Sequence, residues 1–265
     1  LVSPSLSSRL PVVVATLRAA GCVFAEDEAE LLIAAAGTPD ELSALVDRRV
    51  AGEPLEHLLG WAEFCGLRIE VDAGVFVPRR RTEFLVQQAA ALASPEAVVV
   101  DLCCGSGAVG TALAAIVDRV ELYAVDVDPA AVRSARRNVA PAGGHVYEGD
   151  LYEPLPATLR ARVDLLVANA PYVPTEAIGT MPPEARLHEA RVALDGGADG
   201  LAVQRRITDG AAQWLAPDGH LLIETSEHQA ARTVEAFARG GLRAWVARSD
   251  ELDGTVVIGT RPLVP

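Results

Sequence analysis

Ala97-Val98-Val99-Val100-Asp101-Leu102-Cys103-Cys104-Gly105-Ser106-Gly107-Ala108-Val109-Gly110 is the stretch from which the fold can be read. Val98–Leu102 is short, apolar and β-branched, the pattern of a strand buried on both faces. It runs through Asp101 into a glycine turn, and a helical pattern starts at once from Ala108 to about Val117. Strand, glycine turn and helix together form a cradle for a nucleotide-like ligand. The glycines admit close approach to the backbone, and the helix N-terminus offers free N–H groups. The spacing Gly105-x-Gly107-x-x-Gly110, with Asp126 closing the next strand, also matches a dinucleotide fingerprint. Asp101 argues against that ligand: a carboxylate at the mouth of the loop repels a pyrophosphate and suits a cationic, amino-acid-tailed ligand such as S-adenosylmethionine.

Around this centre the chain alternates. Apolar runs at 97–102, 120–126, 144–149, 163–168, 218–225, 242–248 and 254–260 read as strands, with helical patterns between most of them, which predicts an α/β fold with a parallel sheet covered on both faces. Only Ser249–Asp253 separates the last two strands, too few residues for a helical crossover, so they are expected to pair antiparallel. Seven strands ending this way look like the Rossmann-like sheet of class I S-adenosylmethionine-dependent methyltransferases. Upstream, 8–20 and 27–51 read as short helices, with Gly37-Thr38-Pro39-Asp40 as a helix-start signal. Phe64–Val71 and Val75–Val77 around Asp72-Ala73-Gly74 read as a hairpin. The expected organisation is therefore a helical N-terminal domain (1–54), a connecting β-hairpin (55–80) and the main domain (81–265).

Composition narrows the function classes. Lys+Arg 23 against Asp+Glu 36 leaves a net charge of −13, an unfavourable field for a free nucleic-acid binder. The four cysteines at 22, 65, 103 and 104 have neither metal-site nor disulfide-framework spacing, so no metal is expected and a reducing, cytoplasmic setting fits. The apolar run Pro11–Leu17 is too short for a secretory leader, and no stretch approaches the roughly 20 apolar residues of a membrane span. Arg79-Arg80-Arg81 is the one dense basic cluster.

Ligands of open α/β sheets bind outside the carboxyl ends of the strands, which places Asp101, Asp126, Asp150 and Asn169 around one site. Asp126 is positioned for two ribose hydroxyls, because its two oxygens can each accept one. Asp150 is positioned for an adenine amino group, with Leu151 against the ring. Asn169-Ala170-Pro171-Tyr172 follows an apolar strand. A nitrogen that attacks a methyl sulfonium needs its N–H groups held by acceptors. The Asn169 side-chain oxygen and the Ala170 carbonyl can supply two, and Tyr172 can pack on a planar target group.

At this point the chain resembles a family: the protein-(glutamine-N5) methyltransferases that modify the Gly-Gly-Gln glutamine of peptide chain release factors. The resemblance spans about residues 50–260. It rests on Glu53-Pro54, Gly60, Glu63-Phe64, Gly66-Leu67, Pro78-Arg79 with Thr82-Glu83, Asp101 with Gly105-x-Gly107, Asn169-x-Pro171-Tyr172, and Ala193-Leu194-Asp195-Gly196-Gly197 with Asp199-Gly200-Leu201. It implies S-adenosylmethionine as cofactor, held by Asp101, Cys103, Cys104, Gly105, Ser106, Gly107, Asp126, Asp150, Leu151 and Asn169. Asn169, Ala170, Pro171, Tyr172 and Phe76 would form the glutamine pocket, and Val173–Gly197 would cover a protein substrate. Three departures mark a divergent branch: Ala170 where the family has proline, Cys103 where the cofactor turn has its first glycine, and Arg80-Arg81 where the family has a proline and an acid. The competing readings are an adenine methyltransferase acting on nucleic acid, a NAD-dependent oxidoreductase and an inactive relative that only binds.

Overall fold

The structure is a computed structural model and describes residues 6–263. Three helices open the chain, α1 (Leu10–Ala19), α2 (Ala25–Ala35) and α3 (Pro39–Val50). They bury an apolar cluster of their own around Leu17, Leu32 and Leu42. A capping box starts α3: the Thr38 hydroxyl accepts from the Glu41 amide at 3.2 Å, and Glu41 accepts from the Thr38 amide at 3.1 Å. The short helix α4 (Leu55–Leu59) leads into the hairpin β1 (Trp61–Phe64) and β2 (Leu67–Glu70).

The hairpin turns in a different place from the one expected. Phe64 pairs directly with Leu67 across Cys65-Gly66, both with positive φ (51° and 71°), as the tight twisted two-residue turn requires. Val75–Val77 is not a strand. Val75 and Val77 are buried in the main core, and the Val77 amide finds its acceptor on the Glu189 side chain at 3.3 Å.

The main body follows: α5 (Glu83–Leu92), β3 (Val98–Leu102), α6 (Ala108–Ile116), β4 (Glu121–Asp126), α7 (Pro129–Val139), β5 (His145–Glu148), β6 (Val163–Ala168), α8 (Pro183–His188), α9 (Ala202–Trp214), β7 (Leu215–Glu224), α10 (Ala230–Arg239), β8 (Arg243–Ser249) and β9 (Gly254–Thr260). The seven-stranded sheet has the order β5-β4-β3-β6-β7-β9-β8. β3 to β7 run parallel, while β9 inserts antiparallel between β7 and β8. All five residues of β3 are buried, and its side chains alternate between two cores: Val99 lies in the one on the α5–α7 side, Val98, Val100 and Leu102 in the one on the α9–α10 side. β4, β3 and β6 are therefore adjacent parallel strands inside the sheet, and their carboxyl ends lie at one edge.

Candidate active site

At that edge lies a cavity of about 390 Å³, walled by strand ends and by the loops that follow them. Cys103 after β3, Asp126 at the end of β4, Asp150 and Leu151 after β5, and Asn169, Ala170, Pro171 and Tyr172 after β6 all line it, with Phe76 and Arg79 from the segment before α5. The residues read from sequence as one constellation thus converge, with five exceptions. Asp101, Cys104, Gly105, Ser106 and Gly107 are not among the residues that line it.

Asp101 is the plainest correction. It is 1% exposed rather than at the mouth of the loop, so it offers no charge to a ligand there. Its side chain falls on the α6 face of β3, where Oδ2 accepts from the Gly110 amide at 2.9 Å. The first turn of a helix has N–H groups without intrahelical partners, and the N-cap residue of α6, Gly107, has no side chain to serve them. Asp101 supplies the acceptor from the neighbouring strand. Burial pushes its pKa up to about 7, against the pull of the Gly110 amide. Gly110 has to be small here: a Cβ would sit 2.9 Å from Leu122 and 3.2 Å from the Asp101 carboxyl.

Asp126 does reach the cavity. Oδ2 accepts from the Gly105 amide at 2.8 Å and Oδ1 from the Asp128 amide at 2.9 Å, so the carboxylate ties the glycine turn to the start of α7. Each oxygen keeps a second lone pair. Burial raises its pKa, and the two amides oppose the shift. Asp150 forms an ion pair with Arg206 of α9 at 2.6 Å, and both line the cavity. Cys103 and Leu151 adopt positive φ (56° and 51°), an uncommon conformation for residues with a side chain. Burial and the neighbouring carboxylates hold the Cys103 thiol well above its ordinary pKa, so it stays protonated.

The Asn169–Tyr172 loop is clamped from several sides. Asn169 Nδ2 donates to the Thr82 hydroxyl at 3.2 Å. The Tyr172 hydroxyl donates to Glu224 Oε1 at 3.4 Å, and the Tyr172 carbonyl accepts from Gln229 Nε2 at 2.9 Å. Burial pushes the Tyr172 hydroxyl up to about 12, and the nearby Glu224 charge adds to the shift. Asn169 Oδ1 and the Ala170 carbonyl accept no hydrogen bond from any described residue. Gly200 packs directly behind the loop; a Cβ there would come 2.3 Å from the Tyr172 carbonyl oxygen.

The segment 173–197 is not structureless. It contains a 3₁₀ turn at Thr175–Thr180 and α8, and Met181, Val192, Ala193 and Leu194 complete the cavity wall. Glu189 latches it to the segment before α5 through an ion pair with Arg79, whose guanidinium lies 5.0 Å over the Phe76 ring.

The residues from 66 to 201 match the family model "Methyltransferase small domain". A release factor glutamine methyltransferase of Geobacter sulfurreducens is 41% identical over 208 residues, 77% of this chain and 72% of its own length. One of Mycolicibacterium smegmatis is 39% identical over 267 residues, 94% of each chain. The chain belongs to the release factor glutamine methyltransferase family. A 4-amino-L-phenylalanine/4-methylamino-L-phenylalanine methyltransferase of Streptomyces pristinaespiralis is also similar, 34% identical over 232 residues, 85% of this chain and 78% of its own length.

The sequence marks Thr82 only as part of the segment Pro78-Arg79 with Thr82-Glu83, and it leaves three residues around the site unmarked: Arg206, Glu224 and Gln229. Glu224 had a usable signal. It stands one residue from the end of the expected strand 218–225 and is the last residue of β7, so the carboxyl-end rule that selected Asp126 and Asn169 applies to it equally. Gln229 and Arg206 lie on helical segments, and only the tertiary structure brings them to the site.

Proposed function

We propose that this methyltransferase transfers a methyl group from S-adenosylmethionine to the side-chain amide nitrogen of a glutamine in a peptide chain release factor. One observation carries the reading: two hydrogen-bond acceptors with no donor among the described residues, Asn169 Oδ1 and the Ala170 carbonyl, belong to adjacent residues that line the cavity together with Asp126 and Asp150. A planar NH₂ group has two N–H donors to satisfy both.

The donor set suits the cofactor. Asp126 has free lone pairs for a ribose diol, Asp150 an acceptor for an exocyclic amine, and Leu151 an apolar side chain for a ring face. The glycine turn supports this set: the Gly105 amide fixes Asp126, and the Ser106 carbonyl is held by Asn138 Nδ2 at 2.8 Å. Bound S-adenosylmethionine supplies an electrophilic methyl group. The protein does the rest. Asn169 and Ala170 accept the two N–H bonds and turn the nitrogen lone pair toward the methyl, and their oxygens offset the positive charge that develops on nitrogen. Phe76, Pro171 and Tyr172 wall in the amide plane, and the cover from Met181 to Leu194 limits water. The surplus amide proton leaves to solvent, and the chain needs no general base.

The similarity to an aminophenylalanine methyltransferase gives the competing substrate, since an aromatic amine presents the same planar NH₂ group. Incubation with S-adenosylmethionine and a folded release factor, followed by peptide mass spectrometry, separates the two. One added methyl on the Gly-Gly-Gln glutamine is the expected result. Methylation of free 4-aminophenylalanine with none on the release factor overturns the proposal. Binding of NAD in place of S-adenosylmethionine, or salt-sensitive methylation of DNA, overturns it in favour of the other readings.

A further inference from the structure

The basic cluster Arg79-Arg80-Arg81 is divided by the structure. Arg79 is tied to Glu189 and lies over the Phe76 ring. Arg80 is exposed and does not line the cavity. Arg81 is exposed and does line it, yet its side chain makes no ion pair or hydrogen bond with any described residue. A guanidinium presents its N–H donors in a planar fork that matches a carboxylate. At this cavity one such fork is unused.

We propose that Arg81 binds the α-carboxylate of the amino-acid tail of S-adenosylmethionine. Three carboxylates, Asp126, Asp128 and Asp150, already line the cavity, and an anion brought among them needs a cation beside it. The candidates are the guanidiniums in the lining. Arg206 is held by Asp150 at 2.6 Å and Arg79 by Glu189, so both are committed. The glycine turn and the first turn of α6 are of the kind that offers N–H groups to anions in nucleotide cradles, but they contribute no residue to the lining. Among the described residues, Arg81 is the cation that remains.

Its place in the cavity agrees with the covalent structure of the cofactor. One sulfur carries the adenosyl group, the methyl and the amino-acid tail. Asp150 and Asp126, after β5 and β4, suit the adenosyl group, and the methyl has to meet the nitrogen held at Asn169, after β6. In the sheet order β5-β4-β3-β6 the tail therefore starts from the Asn169 end. Arg81 stands at that end, because the next residue, Thr82, accepts a hydrogen bond from Asn169 Nδ2 at 3.2 Å. The charge of Arg81 also acts on Tyr172 and on Glu224. Glu224 is 1% exposed and forms no ion pair with Arg81, so it leaves the fork open.

The inference rests on the methyl-transfer reading, and binding measurements separate the two. Isothermal titration of S-adenosylmethionine and of decarboxylated S-adenosylmethionine into wild type and Arg81→Met forms a double cycle. In the wild type, loss of the carboxylate should cost roughly 10-fold in affinity, the low end for a charge-assisted pair because Arg81 is exposed. Arg81→Met should lose roughly 10-fold for S-adenosylmethionine and stay within about 2-fold for the decarboxylated form. Retained binding of that form also shows that the variant is folded. Arg81→Lys keeps the charge without the fork and should fall between wild type and Arg81→Met. Arg80→Met should bind both ligands as the wild type does. Equal losses for both ligands in Arg81→Met, or no loss for either, would overturn the inference and leave methyl transfer standing. Unchanged S-adenosylmethionine affinity with weaker binding of 4-aminophenylalanine would also overturn it, and would assign Arg81 to a substrate carboxylate. A wild type that binds neither form of the cofactor would overturn both readings.

Discussion

Asp101 and Asn169 end neighbouring strands and have opposite tasks, and each can be tested by one substitution. Asp101 is an acid whose folded pKa, about 7, lies above its unfolded value near 3.8. Between those values the folded state binds the extra proton, so stability falls as pH rises from about 4 to 7 and levels off above that. Asp101→Asn should flatten this part of the curve and make the protein more stable above pH 7, by about 4 kcal/mol at most. Thermal melts of both proteins across pH 4–8 test this; parallel curves would show that Asp101 is not the source. Asp126, with a shift in the same direction, leaves a residual slope in the variant. At Asn169 the expected loss is kinetic. Asn169→Ala removes one of the two acceptors and should lower kcat by roughly 100-fold with little change in cofactor affinity. Isothermal titration beside single-turnover assays distinguishes this from a cofactor-binding role, in which both would fall together. Sequence alone placed both residues at strand ends, but it does not tell which face a strand-end side chain takes, and that face decides their roles.

Among the elements, strands were the easiest to read. Val98–Leu102 and Val163–Ala168 are apolar runs that only a doubly covered sheet accommodates, and both lie where expected. The hairpin before α5 was misplaced for a local reason. Asp72-Ala73-Gly74 has the composition of a turn, while the real turn puts a cysteine in a left-handed conformation next to Gly66. The segment Val173–Gly197 shows its Pro-rich, charged composition in the sequence but not how it is held, because its bonds join residues far apart in the chain: the Val173 amide donates to the Leu194 carbonyl at 3.1 Å, and next to it Gln229 holds the Tyr172 carbonyl. Gly200 is the tightest point of this packing, with φ of 76°. Gly200→Ala should push the Asn169–Tyr172 loop forward, costing at least about 1 kcal/mol of stability and roughly 10-fold or more in turnover. Melting temperature and kcat measured on the same preparation check it; an unaffected kcat would show that the loop does not depend on its backing.

At the scale of the whole molecule, Arg49 bridges the helical N-terminal part and the segment that follows the Asn169–Tyr172 loop. Arg49 of α3 makes an ion pair with Glu28 of α2 at 2.7 Å, both side chains 11% exposed, and lies 3.6 Å from Glu184 of α8. Removing one partner of a buried pair leaves the other uncompensated, so Arg49→Met should cost about 3 kcal/mol. The loss should be local. Hydrogen exchange is expected to accelerate in residues 25–50 and 183–188 while the sheet amides keep their protection; uniform acceleration would mean that the helices and the sheet unfold as one unit. Nothing in the sequence marks Arg49, which sits in an ordinary basic last turn of a helix.

The ribosome delivers β7 and β8 before β9, yet β9 lies between them in the sheet. Until Gly254–Thr260 emerges, β7 presents an open edge from His220 to Glu224, and Arg243–Ser249 has no strand to pair with. A nascent chain interrupted before residue 254 would therefore carry an apolar, unsatisfied strand edge next to a finished cofactor cradle, and would be a natural client for chaperones and a seed for aggregation.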